Sequence, residues 1–274
     1  MKRRDFIQKL IVSGFLLFDG SVLAKNLYIV NEEVKLRFYV ASDGHYGQSN
    51  TPYKEYHSAL IEKMNQFHLL YPASFVVLNG DVIDVKHDEK QYLTSAFNTY
   101  NNFEMDFYVT KGNHDQVSAD FWRETWGYPQ NHDFTIRNTA FLLGTTSNEK
   151  GDYLCPDLNW FKTKLNLYRH YDYIFIFLHI TPNDWTKYGV KCTEFLNLID
   201  NHKNIKAIFN GHDHNQDGIK FYNNIPFMFD GRFGGSWGTD YRGFRVVEIL
   251  NNGIIQTYMM NPDEKIKQYR LEQA

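Results

Sequence analysis

The sequence predicts an α/β fold with largely parallel strand pairing at its core, on three observations. Short apolar, β-branched runs alternate with amphipathic segments of helical period. Successive runs stop at an Asp, Asn or His. No internal repeat, low-complexity tract or Pro-rich linker breaks the order. Such alternation is what βαβ units produce, because parallel neighbours need a crossover, usually a helix.

With 274 residues, 43% of them hydrophobic, the chain can bury a sizeable core. Its 29 basic and 32 acidic residues nearly balance, so no global field draws it to nucleic acid or to an anionic membrane surface. A small-molecule partner is expected instead. The 17% aromatic content suits deep core packing and an aromatic-walled cleft for a substrate with a flat or hydrophobic part.

At the N-terminus Lys2, Arg3 and Arg4 precede a short apolar run, 10–18, that stops at Asp19. A bilayer span takes ~20 apolar residues, so this run is too short to cross one. Val22-Leu23-Ala24 offers small residues for cleavage, and Arg3-Arg4-Asp5-Phe6-Ile7-Gln8-Lys9 resembles a twin-arginine export signal. Residues 1–24 are therefore expected to be an export leader and 25–274 one domain without a membrane span. The expected location is the periplasm; the alternative is a basic amphipathic start to a cytoplasmic protein. Losing the leader removes four basic and two acidic residues and moves the net charge from −3 to −5. Cys155 and Cys192 are the only cysteines. An oxidising compartment would allow them to bridge, and a reducing one would leave two buried thiols.

Past the leader, 36–42, 75–80 and 107–112 read as buried strands. A helix opened by Thr51-Pro52, with Tyr56, Leu60, Met64 and Phe67 at helical spacing, lies between the first two. A second helix is expected over 90–100. Residues 133–146 predict two strands around Asn138-Thr139, followed by a helix over 157–168 behind Pro156. Strands return at 174–178 and 205–209, with a helix near 193–201 between them. From Gly218 onward Asn223-Asn224 and Asn251-Asn252-Gly253 mark hairpin turns. Arg232, Trp237, Tyr241 and Arg242, within 216–250, are expected to line or cap a cleft.

Ligand-type residues sit just beyond the C-terminal ends of five strands, where open α/β sheets present their sites. Asp43-Gly44-His45 and His212-Asp213-His214 each place two such side chains two residues apart, so in extended backbone both project to one side. Each pair can grip one metal or two adjacent ones. Asp81 follows Gly80, which permits a sharp exit from the strand, and its two carboxylate oxygens can bridge cations ~3.5–4 Å apart. Asn113 offers a neutral amide oxygen. His114 beside it is a donor or proton shuttle, with Asp115 as the expected orienting partner of its imidazole. His179 completes the set. Singly, each residue could be a cap, a turn or a structural histidine; five strand ends with ligand types are not well explained that way. His57, His68, His87, His132, His170 and His202 belong to no such cluster and are assigned to surface or core. Asp84, Asp88 and Asp184 are assigned to caps and loops.

The ordered set Asp43-Gly44-His45, Gly80-Asp81, Gly112-Asn113-His114-Asp115, His179 and Gly211-His212-Asp213-His214 resembles the signature of calcineurin-like metallophosphoesterases, over about residues 36–215. The resemblance implies a four-layer αββα sandwich of two mixed sheets flanked by helices. It also implies a first metal on Asp43, His45 and His214, a second on Asn113, His179 and His212, and Asp81 as the bridge. Purple acid phosphatases place a Tyr ligand three residues after the bridging Asp and lack the first-motif His; here Asp84 stands there and His45 is present. The pattern is closer to the group that contains class III cyclic nucleotide phosphodiesterases, whose members cleave many monoesters and diesters.

The chemistry expected is hydrolysis at phosphorus, with two cations activating a water and neutralising phosphoryl charge, and His114 as general acid. Carboxylate, amide and imidazole without thiolate suit Mn, Fe or Zn better than Mg or Ca. A DNA nuclease would need a basic groove that the sequence does not show. A pyrophosphatase acting on nucleotide or lipid conjugates is chemically close. A non-catalytic scaffold on the same fold is expected to have lost a ligand or His114, and none is missing.

Overall fold

A computed structural model describes residues 33–261 and 264–271, so the expected leader at 1–24 lies outside the described residues. In chain order the elements are β1 (Val34–Ala41), α1 (Tyr53–Leu70), β2 (Phe75–Asn79), α2 (Glu89–Tyr100), β3 (Asp106–Thr110), α3 (Ala119–Trp126), β4 (His132–Ile136), β5 (Thr139–Gly144), α4 (Leu158–Leu167), β6 (Tyr173–Leu178), α5 (Thr193–Asp200), β7 (Ile205–Asn210), β8 (Ile219–Tyr222), β9 (Ile225–Phe229), β10 (Phe244–Leu250), β11 (Ile255–Asn261) and β12 (Glu264–Leu271). They form two mixed six-stranded sheets, ordered β12-β11-β10-β1-β2-β3 and β4-β5-β6-β7-β9-β8. The strands that lead to the ligand residues pair in parallel, β1 with β2 and β2 with β3 in the first sheet, β6 with β7 in the second.

Alternation along β1 creates the layering. Phe38 and Val40 point to a core shared with Phe75 and Val77 and with Phe141, Phe175, Phe177 and Phe209 of the second sheet. Their neighbours Tyr39 and Ala41 face the other way, onto Leu60 and Met64 of α1, Leu93 of α2 and Trp122 of α3. On the far side, Leu142, Ile174, Ile176 and Ile208 meet Phe161 and Leu165 of α4 and Phe195 and Ile199 of α5. Period-2 strands buried on both faces thus give helix–sheet–sheet–helix layers with three cores. Phe38 sits centrally, its ring 5.2 Å from Phe75, 5.2 Å from Phe175 and 5.5 Å from Phe141.

Between the layers one buried charge is fully engaged. Arg245 of β10 donates to Asp230 Oδ1 at 2.7 Å, to the Phe229 carbonyl at 2.7 Å and to the Asp217 carbonyl at 3.1 Å. It ties the first sheet to the chain leaving β9.

Several local details differ from expectation. Pro52 is the N-cap residue of α1 and makes no side-chain cap; Thr51 Oγ1 donates instead to the Gln48 carbonyl at 2.8 Å. Helix α3 went unanticipated, although Ser118 caps it and Gly127, at φ 81°, ends it in the left-handed region. Cys155 and Cys192 form a disulfide with Cα atoms 5.5 Å apart, joining the loop before α4 to the start of α5. Among the described residues no helix is long and apolar enough to cross a membrane.

Candidate metal centre

The loops after β1, β2, β3, β6 and β7 converge, held by backbone hydrogen bonds between them. Asp43 N donates to the Gly80 carbonyl at 3.1 Å, His45 N to the Asp81 carbonyl at 2.9 Å, and Gly211 N to the His179 carbonyl at 3.0 Å. The extended backbone expected at Asp43, His45 and His212 is not found. Asp43, His45, Asp81 and His212 have φ of 61°, 49°, 50° and 64°. Left-handed backbone costs a side-chain-bearing residue about 1–2 kcal/mol and persists where surroundings over-determine it. It turns each side chain inward from the end of its strand. Two glycines make the approach possible: at Gly80 (φ 88°) a Cβ would lie 2.3 Å from His179 Nδ1, and at Gly211 one would lie 1.8 Å from Ser42 Oγ.

Six of the seven expected ligands are brought together in two clusters. Asp43, His45 and His214 present ligand atoms within 4.8 Å of one another, as do Asp81, His179 and His212. Asp43 accepts from Ser42 Oγ at 2.5 Å and from His212 N at 3.0 Å. His214 Nδ1 faces the Trp237 carbonyl at 3.0 Å and His179 Nδ1 the Asn79 carbonyl at 2.7 Å. A carbonyl only accepts, so both Nδ1 atoms carry a proton, and the Nε2 atoms face the centre, that of His214 2.9 Å from Asp43 Oδ1 and that of His179 3.1 Å from Asp81 Oδ2. His45 Nε2 and His214 Nε2 lie 3.0 Å apart. Asn113 Oδ1 and His212 Nε2 are buried without a hydrogen-bond partner, and Asp81 Oδ2 and His179 Nε2 face each other at 3.1 Å. Buried polar atoms are otherwise nearly always satisfied. Such ligand-type atoms fit bound cations, and Asn113 is carried beside the second cluster by its neighbour His114, whose N donates to Asp81 Oδ1 at 2.8 Å.

The charges agree with that fit. Burial alone would raise the Asp43 carboxyl, but His214 and His179 beside it hold it well below the usual carboxylate range. For Asp81, burial is likewise outweighed by His179 and His114. Burial opposes protonation of His45 and His179, yet the neighbouring carboxylates push them up to about 10 and about 9. Burial and then His179 push His212 down to about 4. The carboxylates thus create a potential that favours positive charge at the centre.

One residue role is corrected. Asp115 was expected to orient His114, but its carboxylate accepts from Ile83 N at 3.0 Å and Gly112 N at 2.8 Å. Those bonds clamp the loop that presents Asn113 and His114. Burial and the neighbouring Asp81 push Asp115 up to about 6. The carboxylate on His114 is Asp84, whose Oδ1 lies 3.0 Å from His114 Nδ1 and whose Oδ2 lies 3.3 Å from His45 Nδ1. Asp84 had been set aside as a loop residue. The missed signal was its spacing, three residues after Asp81 and beyond the same strand. His114 is the most open group of the site, its side chain 39% exposed, with Nε2 3.9 Å from Asp81 Oδ2.

Of the 216–250 residues, Arg232 is spent on backbone: it donates to the Gly234, Gly235 and Thr239 carbonyls. That fixes the loop carrying Trp237, whose ring stacks on His214 at 4.0 Å and 12°. Arg242 lies over the Tyr56 ring and Tyr241 donates to Asp217, so neither reaches the ligands. Two tyrosines meet His212 edge-on instead, Tyr153 at 4.9 Å and Tyr188 at 5.7 Å.

The family model described as calcineurin-like phosphoesterase matches residues 36–216. Among solved structures, a dimetal phosphatase from Danio rerio aligns with a TM-score of 0.69 at 12% identity, over 88% of this chain and 100% of that one. GAP50, the anchor in the inner membrane complex of Plasmodium, aligns at 0.64 and 18% identity, over 88% and 90%. Purple acid phosphatase PPD1 from yellow lupin aligns at 0.64 and 10% identity, over 86% of this chain and 53% of that one. At such identities these likenesses concern the fold. No curated protein matches the sequence significantly.

Proposed function

Because the chain belongs to the calcineurin-like phosphoesterase family, we propose that this metallophosphoesterase hydrolyses phosphate monoesters or diesters at a dinuclear centre. Asp43, His45 and His214 would hold one ion and Asn113, His179 and His212 the other, with Asp81 able to serve both. The observation that carries the proposal is the pair of buried clusters Asp43, His45, His214 and Asp81, His179, His212, each with its ligand atoms within 4.8 Å of one another. The donor set of imidazole, carboxylate and amide suits Mn, Fe or Zn. When bound, the ions supply Lewis acidity, lowering the pKa of water and neutralising charge that builds on phosphoryl oxygens.

The chain's own groups do the rest. His114 holds a proton at Nε2 for the leaving oxygen, because Asp84 accepts at Nδ1 and favours the protonated ring. Burial lowers the affinity of His114 for that proton, but Asp81 and Asp84 together raise it above the ordinary value. Asp115 keeps the 112–114 turn in place and has no contact with the imidazole among its hydrogen bonds. The disulfide supports an oxidising compartment. Export through residues 1–24 is proposed with it; an intact N-terminus on cytoplasmic protein in the native host would refute that.

The direct test is phosphate or alcohol release from a panel of monoesters, diesters, cyclic nucleotides and nucleotide-sugars, with Mn, Fe or Zn added to chelator-treated protein. Metal-dependent turnover of at least one ester class, with about two ions per chain, is expected. Protein that binds no transition metal and cleaves none of the panel overturns the reading.

A further inference from the structure

The two flanks of the metal centre differ in kind. On the side of His45 lie the polar groups His114, Asp84 and Gln48, joined by hydrogen bonds. On the side of His212 and His214 three aromatic rings crowd the rim, each from a different loop: Tyr153 before α4, Tyr188 before α5 and Trp237 before β10. Tyr188 and Trp237 also touch each other, ring centres 5.7 Å apart and planes 34° apart. Packing around imidazole ligands explains the inner faces of these rings. It does not explain why Tyr153 remains 41% and Trp237 38% exposed beside a charged centre. Exposed rings at the mouth of a site offer what a polar rim cannot, a surface for stacking.

The loops holding the rings are fastened. The Cys155–Cys192 disulfide links the Tyr153 loop to the segment that follows Tyr188. Arg232 fastens the Trp237 loop through three backbone carbonyls. Lys187 lies over the Tyr188 ring, its Nζ 4.8 Å from the centroid, which leaves Tyr153, Trp237 and the remaining Tyr188 surface to face a ligand. A preorganised wall loses little conformational freedom on binding, so each stacking contact is worth more.

We propose that Tyr153, Tyr188 and Trp237 form a subsite for a planar π-system in the organic part of the ester. The preferred substrates are then phosphate esters bearing a nucleobase or an aryl ring, ahead of compact alkyl or polyol phosphates. This rests on the phosphoesterase reading above and narrows its substrate class.

The test compares pairs that share a primary alkyl leaving oxygen: benzyl against cyclohexylmethyl phosphate, which differ in the planarity of the ring, and adenosine 5′-monophosphate against ribose 5-phosphate, which differ by the base. Methyl diesters of the same alcohols serve if the enzyme is a diesterase. The planar member is expected to have the higher kcat/KM by about tenfold, the scale of one ring stack. A preference in both pairs means any ring is accepted; a preference in one alone identifies its source. Tyr153→Ala and Tyr188→Ala should each reduce the ratio several-fold, Tyr153→Phe and Tyr188→Phe should keep it, and Tyr153→Leu should not restore it. Trp237 is left intact because its ring lies flat on His214 at 4.0 Å, a closer contact than either tyrosine makes edge-on with His212. A parallel fluorescence titration with benzylphosphonate and cyclohexylmethylphosphonate should show the same order of affinity without turnover. Ratios near one in the wild type, or unchanged in folded, metal-loaded alanine variants, overturn the subsite. Absence of all hydrolysis with selective phosphonate binding overturns the phosphoesterase reading and keeps the wall.

Discussion

The first sheet brings oxygen and charge to the metal centre, Asp43 after β1, Asp81 after β2 and Asn113 after β3, together with His45. The second brings imidazoles alone, His179 after β6, then His212 and His214 after β7. Neither half is a site by itself. Two buried carboxylates in one layer repel each other until imidazoles or cations from the facing layer meet them. Metal affinity and sheet stacking are therefore linked, and binding energy at the centre is also folding energy.

Asp81→Asn should break this arrangement most completely, since Asp81 faces His179 of the second sheet and His114 of the first. A folded variant is expected to lose at least one of about two ions and its turnover; elemental analysis showing an unchanged metal load would end the bridging assignment. Next in size, His114→Asn should keep the metals and lower kcat by ~10²–10⁴ on an alkyl phosphate, the range for general acid catalysis. On p-nitrophenyl phosphate, whose leaving phenolate needs no proton, the loss should be markedly smaller. Equal loss on both esters would make His114 a phosphoryl-positioning group.

Phe38→Ala tests the stacking directly. Removing the central ring of the inter-sheet core should cost about 3–5 kcal/mol, and metal affinity should fall with it. Denaturant unfolding with and without metal reads both, and undiminished affinity in the destabilised variant would show the halves to be held together elsewhere. Smaller effects separate the two carboxylates near His114. Asp84→Asn should repeat the leaving-group pattern of His114→Asn at ~10–100-fold. Asp115→Asn should instead lower the unfolding midpoint with no leaving-group dependence.

The last effect lies away from the site, at His132 on β4, whose ring stacks on Tyr128 at 3.8 Å. Burial pushes His132 down to about 4 from an ordinary 6.5. Below pH 6.5 the unfolded chain therefore takes up the proton first. Stability is lost as pH falls from about 6.5 to about 4 and unaffected above. His132→Phe should flatten that acid limb of Tm against pH while leaving the pH profile of turnover in place; an unchanged limb would mean that other groups carry it.

The clustering of Asp43, His45, Asp81, His179, His212 and His214 was legible because each lies just past an apolar strand, a pattern local to the chain. The α/β class and the hairpins at Asn223 and Asn251 were legible for the same reason. The partner of His114 was not. Asp84 and Asp115 both follow strands, and the choice between them depends on which amides the 112–115 turn exposes, a three-dimensional matter. Left-handed backbone at Asp43, His45, Asp81 and His212 was equally hidden: Asp and His enter that region more often than most residues, but most of them do not, and no local pattern marks which ones do. The stacking of Trp237 on His214 depends on Arg232 holding its loop. Nor did hairpin signals after Gly218 reveal that β10 leaves the second sheet and joins the first.

That last pairing bears on how the molecule comes into being. Phe38 of β1 lies opposite Val247 of β10, so a central strand of the first sheet waits for a neighbour about 200 residues downstream. At the usual ~5–20 residues per second of synthesis, β1 has left the ribosome roughly 10–40 s before β10 exists. Throughout that interval one edge of β1, rich in aromatic and aliphatic side chains, is open to the wrong partner. The nascent chain is therefore exposed to misassembly for that interval, and correct pairing depends on what shields that edge until β10 arrives.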